Sequence, residues 1–501
     1  MRISEFLNHH QRTRKFLLYL ALFTGGLLLV FSFAPYNQFW LAYPLIAGWF
    51  LLMVNQSSGQ VFKRSFWFSL GWFTHGIYWI YYSLHVHGGA PVAMAVFMVF
   101  CLAAVLALFP ALCLWLARKY IALNEQWQLL LLLPLSVFMA EWLRGVVLTG
   151  LPWVQLGYSQ IDTVLAGYTP LVGGLGVTGL TLFIAGIMAY MLWYKRYLRP
   201  MAVIGVISLL GAGLQHIEWT EAEGKSIRVS LIQGNIAQKD KWQAYFFTPT
   251  LDMYRDLTRQ NWDSDLIVWP ETAIPGYRHR VQPFLESLSK EAEQNHSEVL
   301  LGLFIRDPEK RRYYNSVIST SDGEYRKRHL VPLGEYYPFR SLISFFSRWI
   351  RIPMSDVDFG PEQQPLLAAA GQKLGISICF EDVFDRDVRQ TLPEASMLVN
   401  VSNDAWFEDS TEPWQHHQKA RMRALESGRY MLRSTNTGVS SIITPQGDVL
   451  AISPQFTRHV ITADVQGMTG RTPYVFWGNY LLVSLALSVL AALGWKTRPK
   501  Q

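Results

Sequence analysis

The sequence predicts two unlike parts: a polytopic α-helical membrane domain of about eight spans and a layered α/β domain outside the membrane. Three observations carry this reading. Up to about Leu214, apolar runs long enough to cross a bilayer alternate with short polar gaps. From Lys225 to about Thr469, strand-like runs alternate with helical ones in a chain of ordinary polarity. One more apolar run then closes the chain. Charged residues make up only 16% of the whole, below the share usual for soluble domains. The expected limits are residues 1–217 for the first membrane part, 225–469 for the α/β domain and 472–501 for the last span and tail.

The spans fall at about 15–33, 38–54, 65–84, 91–117, 127–147, 171–194, 201–216 and 473–495, each near the length a bilayer needs. The opening MRISEFLNHHQRTRK is basic and no small-residue cleavage site ends the first apolar run, so an uncleaved anchor is expected. Arg12, Arg14 and Lys15 precede the first span, and Lys63 and Arg64 the third. Arg118 and Lys119 follow the fourth, Lys195, Arg196 and Arg199 the sixth, and KTRPKQ the eighth. The alternate loops PYNQF and HVHGGAP carry neither Lys nor Arg. All the basic clusters thus share one side, which the positive-inside bias assigns to the cytoplasm together with both termini. Seven spans then put the α/β domain on the outer face, which in a bacterium is the periplasm. Much of the net charge of +7 is this topology signal, so the basicity does not point to nucleic acid. Cys101 and Cys113 share one apolar run and read as membrane-core residues, and no pair suits a disulfide.

In the α/β domain the strand-like runs are IRVSLIQGN, DLIVWPE, VLLGLFI, NSVIST, KLGISICFE, ASMLVNVS, SSIITPQGDVL and HVITADV. YRDLTRQNW and WQHHQKARMRALESGRYM read as helices. There is no repeat and no Gly-rich phosphate loop.

Three strand ends carry reactive groups. Glu271 follows the strand in LIVWPETAIPGY, Lys327 lies in YRKRHLVPLGEYYPF with Glu335 eight positions on, and Cys379 ends the strand in LGISICFEDVF. Singly each has an ordinary reading: a cap or turn carboxylate, a solvated lysine, a small core thiol. Together they make a workable acyl-transfer set, because a thiol needs a base to become the attacking thiolate and a tetrahedral intermediate needs a cation or N–H donor beside its oxyanion.

WPETAIPG, KRHLVPLGEYYPF and GISICFED, in that order and spacing, resemble the three signature blocks of the nitrilase (carbon–nitrogen hydrolase) superfamily. With seven spans before and one after, the chain is similar to one branch of it, the bacterial apolipoprotein N-acyltransferase family. LIQGNIAQKDKW, EWLRGVVLTGLPWVQLGYSQID and LVNVSNDAWFEDSTEPWQHHQKARMRALESGRYMLRSTNTGVSSI agree, so the resemblance covers nearly the whole chain. It implies a nitrilase-like αββα sandwich in the periplasm, with Cys379 as nucleophile, Glu271 as general base and Lys327 stabilising the oxyanion. Glu335 would support this triad, and Trp242, Phe380 and Glu381 would matter for activity. Phe380 stands where many members have Tyr, and Leu333 where the loop usually has Phe. The implied reaction moves the sn-1 acyl chain of a phospholipid, typically phosphatidylethanolamine, through a cysteine thioester to the α-amino group of the S-diacylglyceryl cysteine of an apolipoprotein. It implies no cofactor, no metal and no nucleic acid, and a monomer in the bacterial inner membrane. A membrane-anchored amidase of the same superfamily and a non-catalytic transport or lipid-binding protein are the rival readings.

Further residues have two readings each. GWFTHGIYWIYYSLHVHGG and TGLPWVQLGYSQID, both on the predicted outer side, form either an entrance for acyl chains or an interfacial aromatic belt. Glu141 and Arg144 have the spacing of a helical ion pair, with head-group contact as the alternative. His416 and His417 read as structural or surface residues, because no other group stands at metal-ligand spacing. Arg421, Arg423, Arg429 and Arg433 read as pairing with Glu426 plus solvated surface, and Asn403 and Asp404 as turn formers that could line the site.

Overall fold

The computed structural model describes residues 2–307, 309, 312–332, 334–336 and 357–497, with side chains from residue 12 onward. Leu333 and the end of the basic tail lie outside them. The chain divides into two compact units. One comprises Met1–Tyr78, Val96–Ile217 and Trp477–Gln501, and the other Trp79–Ala95 and Glu218–Phe476.

The first unit is helical. Four stretches, Arg12–Ser32, Val92–Tyr120, Glu125–Thr149 and Val164–Tyr194, are long and apolar enough to cross a membrane, and Phe39–Met53, Leu198–Leu214 and Tyr480–Lys496 are apolar but shorter. The third expected span is shifted. Its helix is Ser58–Gly76, started by the Ser57 side chain, which accepts from the Gln60 N–H, so Lys63 and Arg64 lie inside the helix instead of before it. Small residues let helices meet at the backbone. A Cβ on Gly26 would come within 1.9 Å of the Phe68 carbonyl oxygen, and one on Gly71 within 1.9 Å of that of Phe23. Glu141 and Arg144 form the expected pair: Arg144 Nη2 lies 2.6 Å from Glu141 Oε2, both side chains are fully buried, and the guanidinium also donates to the carbonyls of Leu151 and Trp153.

The second unit holds two six-stranded sheets. The first contains β1 (Thr220–Gln233), β2 (Leu266–Val268), β3 (Glu298–Asp307), β4 (Arg312–Ser319) and β5 (Glu324–Arg326). The second contains β6 (Leu367–Ala369), β7 (Gln372–Ile378), β8 (Met397–Ser402), β9 (Met431–Thr435), β10 (Ser441–Ile443) and β11 (Val449–Ile452). β12 (His459–Gly470) returns to the first sheet beside β1. The orders are β12-β1-β2-β3-β4-β5 and β6-β7-β8-β9-β10-β11. Read in that direction, both sheets pair as antiparallel, parallel, parallel, antiparallel, antiparallel. The second sheet thus repeats the first, although the sequence shows no repeat.

Alternate residues of each strand face opposite ways. One set, including Val229, Leu231, Val268, Ile376, Ile378, Val399 and Val401, meets between the sheets. The other face of the first sheet packs Ile267, Val299 and Leu301 against Leu251 and Tyr254 of helix Ala244–Arg259 and Leu285 and Leu288 of helix Gln282–Gln294. The outer face of the second packs Leu398, Met431 and Ile443 against Ala420 and Ala424 of helix Glu412–Ser427. The layers are therefore helix, sheet, sheet, helix, as the resemblance implied. The last helix is shorter than the run WQHHQKARMRALESGRYM: it stops at Ser427 because Gly428 turns left-handed at φ +64°.

Candidate active site

Glu271 and Lys327 leave the first sheet and Cys379 the second. β2 is buried on both faces, and its chain turns sharply through Trp269, Pro270 and Glu271. The turn crosses β3 at Gly302, where a Cβ would lie 2.5 Å from the Thr272 nitrogen and 2.6 Å from the Pro270 oxygen, so only glycine leaves room. The Glu271 carboxylate is buried. Its Oε1 accepts from Asn315 Nδ2 at 2.7 Å and faces Lys327 Nζ at 3.5 Å. Lys241 Nζ donates to the Glu271 carbonyl at 3.1 Å, and burial brings that ammonium down to about 8 despite the nearby Glu271 charge.

Lys327 follows β5 and is held by its own N–H, which donates to the Asn315 carbonyl at 2.8 Å. Its Nζ lies 2.8 Å from Glu335 Oε1. Burial opposes its charge, but Glu335 and then Glu271 outweigh burial and raise its pKa, so it stays an ammonium. Glu335 is fixed in turn by the Val331 N–H, 2.8 Å from Oε2.

Cys379 is the first residue past β7 and takes φ +53°, a left-handed conformation uncommon outside glycine. Cys379 as a residue is half-buried, and its thiol is closely walled by protein. Burial, then the Glu271 charge, push its pKa well above the ordinary thiol value, with Lys327 working the other way. At rest the thiol therefore keeps its proton. Glu381 holds the elbow. Its carboxylate accepts from the N–H groups of Ile378 (2.7 Å), Arg328 (2.7 Å) and His329 (3.0 Å) and from the Tyr325 hydroxyl (3.0 Å), which ties the Cys379 turn to the Lys327 loop. Burial, the leading effect, raises its pKa. Phe380 packs edge-on against Phe384 at 4.9 Å and His329 at 6.0 Å. Trp242 follows Lys241, is 43% exposed, and lies 5.9 Å from the Phe304 ring.

The structure thus brings Glu271, Lys327, Glu335, Cys379 and Glu381 together, with Trp242 on the segment that braces Glu271. It adds Asn315, which sequence reasoning missed. Asn315 touches Glu271, donates to Glu335 Oε1 at 3.4 Å and receives the Lys327 N–H, but it sits inside β4 with no turn signal to mark it.

Behind Cys379 lies a second polar cluster. Arg433 is wholly buried, which corrects the reading of the arginines as partly solvated: Arg423 and Arg429 are buried too, and Arg423 pairs with Glu426 at 3.0 Å as expected. Asp404 does more than form a turn. Its Oδ2 takes the Arg433 guanidinium at 3.0 Å and its Oδ1 the Ser402 hydroxyl at 2.6 Å. Burial disfavours its charge, but Arg433, His416 and Ser402 hold it down to about 2. His416 is a core residue, with Nε2 2.7 Å from Asp382 Oδ1. Burial and Arg433 oppose its charge, yet Asp382 and Asp404 lift it to about 10. Burial pushes neighbouring His417 down to about 3 and, with Asp404, pushes Glu412 up to about 7. Asp404, Glu412 and His416 present ligand-type atoms within 4.8 Å of one another, a grouping that sequence spacing does not reveal.

The aromatic stretch read as either an entrance or a belt splits at residue 78. Residues 79–95 belong to the second unit, where Trp79 packs edge-on against Phe407 at 4.8 Å and His87 lies 3.1 Å from Glu408 Oε1 and 5.4 Å from the Trp406 ring.

Comparison with known proteins agrees with this construction. Residues 228–474 match the Carbon-nitrogen hydrolase family, and residues 25–187 match the Apolipoprotein N-acyltransferase N-terminal domain. The chain is 42% identical over 472 residues to an apolipoprotein N-acyltransferase of Methylococcus capsulatus, covering 93% of this chain and 94% of that one. It is 39% identical over 480 residues to the Vibrio cholerae protein of that name (92% and 94% covered), and 39% over 480 residues to the Nitrosomonas europaea one (94% and 96% covered). On this identity and coverage, the chain belongs to the apolipoprotein N-acyltransferase family.

Proposed function

We propose that this protein moves an acyl chain from the sn-1 position of a phospholipid, through a thioester on Cys379, to the α-amino group of the diacylglyceryl cysteine of an apolipoprotein. One observation carries the reading: the thiol of half-buried Cys379 lies in the field of both the Glu271 carboxylate and the Lys327 ammonium, in a chain with helices able to cross a membrane. The basic loops support eight spans with both termini in the cytoplasm and Glu218–Phe476 in the periplasm, so the site would serve the outer leaflet of a bacterial inner membrane.

In the first step Cys379 Sγ attacks the ester carbonyl carbon while its proton passes to Glu271. The carbonyl electron pair becomes an oxyanion beside the Lys327 ammonium. Collapse expels the glycerol oxygen, which takes the proton back from Glu271, and a lysophospholipid leaves. In the second step the acceptor amine attacks the thioester, Glu271 takes the amine proton, and the thiolate departs and is reprotonated. The raised thiol pKa suits this cycle, because proton and charge move only when substrate arrives. Glu335, by pairing with Lys327, leaves Glu271 free to receive protons. The domain limits follow the same reading: a membrane part up to residue 217, a catalytic part, and a closing span.

The test uses the purified full chain in detergent micelles with acyl-labelled phosphatidylethanolamine. Wild type should acquire a hydroxylamine-sensitive label that Cys379→Ala lacks, and a diacylglyceryl-cysteine peptide should discharge it onto its amine. No label, equal label on Cys379→Ala, or discharge only to water would each refute the reading.

A further inference from the structure

The polar cluster behind Cys379 is reached through one transverse row of the second sheet. Ser377 on β7 is in register with Asn400 on β8, Asn400 with Arg433 on β9, and Arg433 with Ser441 on β10. In-register residues of neighbouring strands project on the same side. All four are buried in a sheet whose other residues are largely apolar, and burying a guanidinium is costly unless its donors are met. Such a row calls for an explanation, and the contacts supply one.

Arg433 Nη1 lies 2.5 Å from Asn400 Oδ1, which fixes the amide with its NH₂ turned the other way. That NH₂ donates to the Cys379 carbonyl at 3.1 Å and to Ser377 Oγ at 3.0 Å. The carbonyl belongs to the residue held at φ +53°. The two terminal nitrogens also reach the two turns beside the thiol: Nη2 binds Asp404 Oδ2 in the turn after β8, and Nη1 lies 3.7 Å from Asp382 Oδ2 in the turn after Cys379. A planar fork offers Asn400 and Asp404 a separate nitrogen each in fixed geometry, whereas a lysine would have to meet both with one nitrogen. From these contacts we infer that Arg433 is a positioning residue for the Cys379 nucleophile, acting through the Asn400 amide that grips the Cys379 carbonyl. The inference rests on the reading of Cys379 as the nucleophile and adds a residue 54 positions downstream that never touches substrate.

The test measures Cys379 alkylation by iodoacetamide in the full-length protein, followed by mass spectrometry of the Cys379 peptide, together with acyl labelling from phosphatidylethanolamine. Arg433→Lys keeps the cation and loses the fork. Asn400→Asp keeps the shape and places an acceptor instead of a donor against the Cys379 carbonyl. Each should slow alkylation about 10- to 100-fold, the scale of a displaced reacting group, and the double variant should be no slower than the slower single one. A purely structural role would loosen the domain and speed alkylation; that result, unchanged rates, or a double variant slowed by the product of the two single effects would overturn the inference. If Arg433→Lys does not fold, Asn400→Asp decides alone. Alkylation needs no acyl transfer, so wild type that alkylates normally but takes up no acyl label would refute the proposed reaction while leaving the positioning role to be read from the variants.

Discussion

Lys327 pairs with Glu335 at 2.8 Å and stands further, at 3.5 Å, from Glu271. Glu335 is thus the nearer partner of the ammonium, and Glu271 the looser one. Removing the Glu335 charge with Glu335→Gln should draw Lys327 onto Glu271 and engage the base. The expected loss in the rate of thioester formation is about 100-fold, the lower end of what a general base contributes. Labelling of Cys379 from phosphatidylethanolamine under single-turnover conditions measures it, and a rate within twofold of wild type would count against this division of roles.

Glu381 should be irreplaceable as an acceptor. Three backbone N–H groups and the Tyr325 hydroxyl end on its carboxylate, so Glu381→Ala strands several buried donors, each costing about 1–3 kcal/mol. The thermal melt of the purified protein should fall well below that of Phe380→Ala, which removes only ring packing.

Glu412 gives a pH signature whose sign follows from its environment. Its pKa rises from 4.5 to about 7, with burial the main cause and Asp404 the second. A raised folded-state pKa means that its contribution is complete below 4.5 and is lost as pH rises through 7. Glu412→Gln stays neutral throughout. Its stability relative to wild type should therefore improve by about 1 kcal/mol per pH unit across that window. Asp404, already ionised above its depressed pKa, does not titrate there. Melting curves at pH 5 and pH 7.5 should diverge between the two proteins, and parallel curves would show that Glu412 is charged at both.

Breaking the Glu141–Arg144 pair should cost more than deleting it. Glu141→Ala leaves a fully buried guanidinium without its carboxylate, a loss of about 3–5 kcal/mol, whereas Glu141→Leu with Arg144→Met replaces both charges by apolar volume. The single variant should melt lower in micelles than the double one.

Glu271, Lys327 and Cys379 stood out in the sequence only as a set, in the blocks WPETAIPG, KRHLVPLGEYYPF and GISICFED, since each alone had an ordinary reading. The helix–sheet–sheet–helix layering came through the resemblance, and most strands through their apolar runs. β5 and β6, three residues each, were not read as strands. β9 was not read as a strand: the helical run was carried to its first residue, Met431, past the break at Gly428. Asn315 and Arg433 were illegible for a different reason. Their partners are distant in sequence, 44 residues away for Glu271 and 29 for Asp404, and a polar residue in a strand ordinarily reads as solvent-facing. Only the sheet register shows which residues share a row.

The division of Glu271, Lys327 and Cys379 between the sheets also orders events in time. Glu271 and Lys327 are synthesised on the first sheet, and Cys379 follows on the second. The first sheet is not complete even then: β1 waits for β12, residues 459–470, at its open edge. That strand is among the last segments of the second unit to emerge, ahead of helix Tyr480–Lys496. A chain cut short before residue 459 would therefore carry Glu271, Lys327 and Cys379 on a sandwich whose first sheet lacks its edge strand.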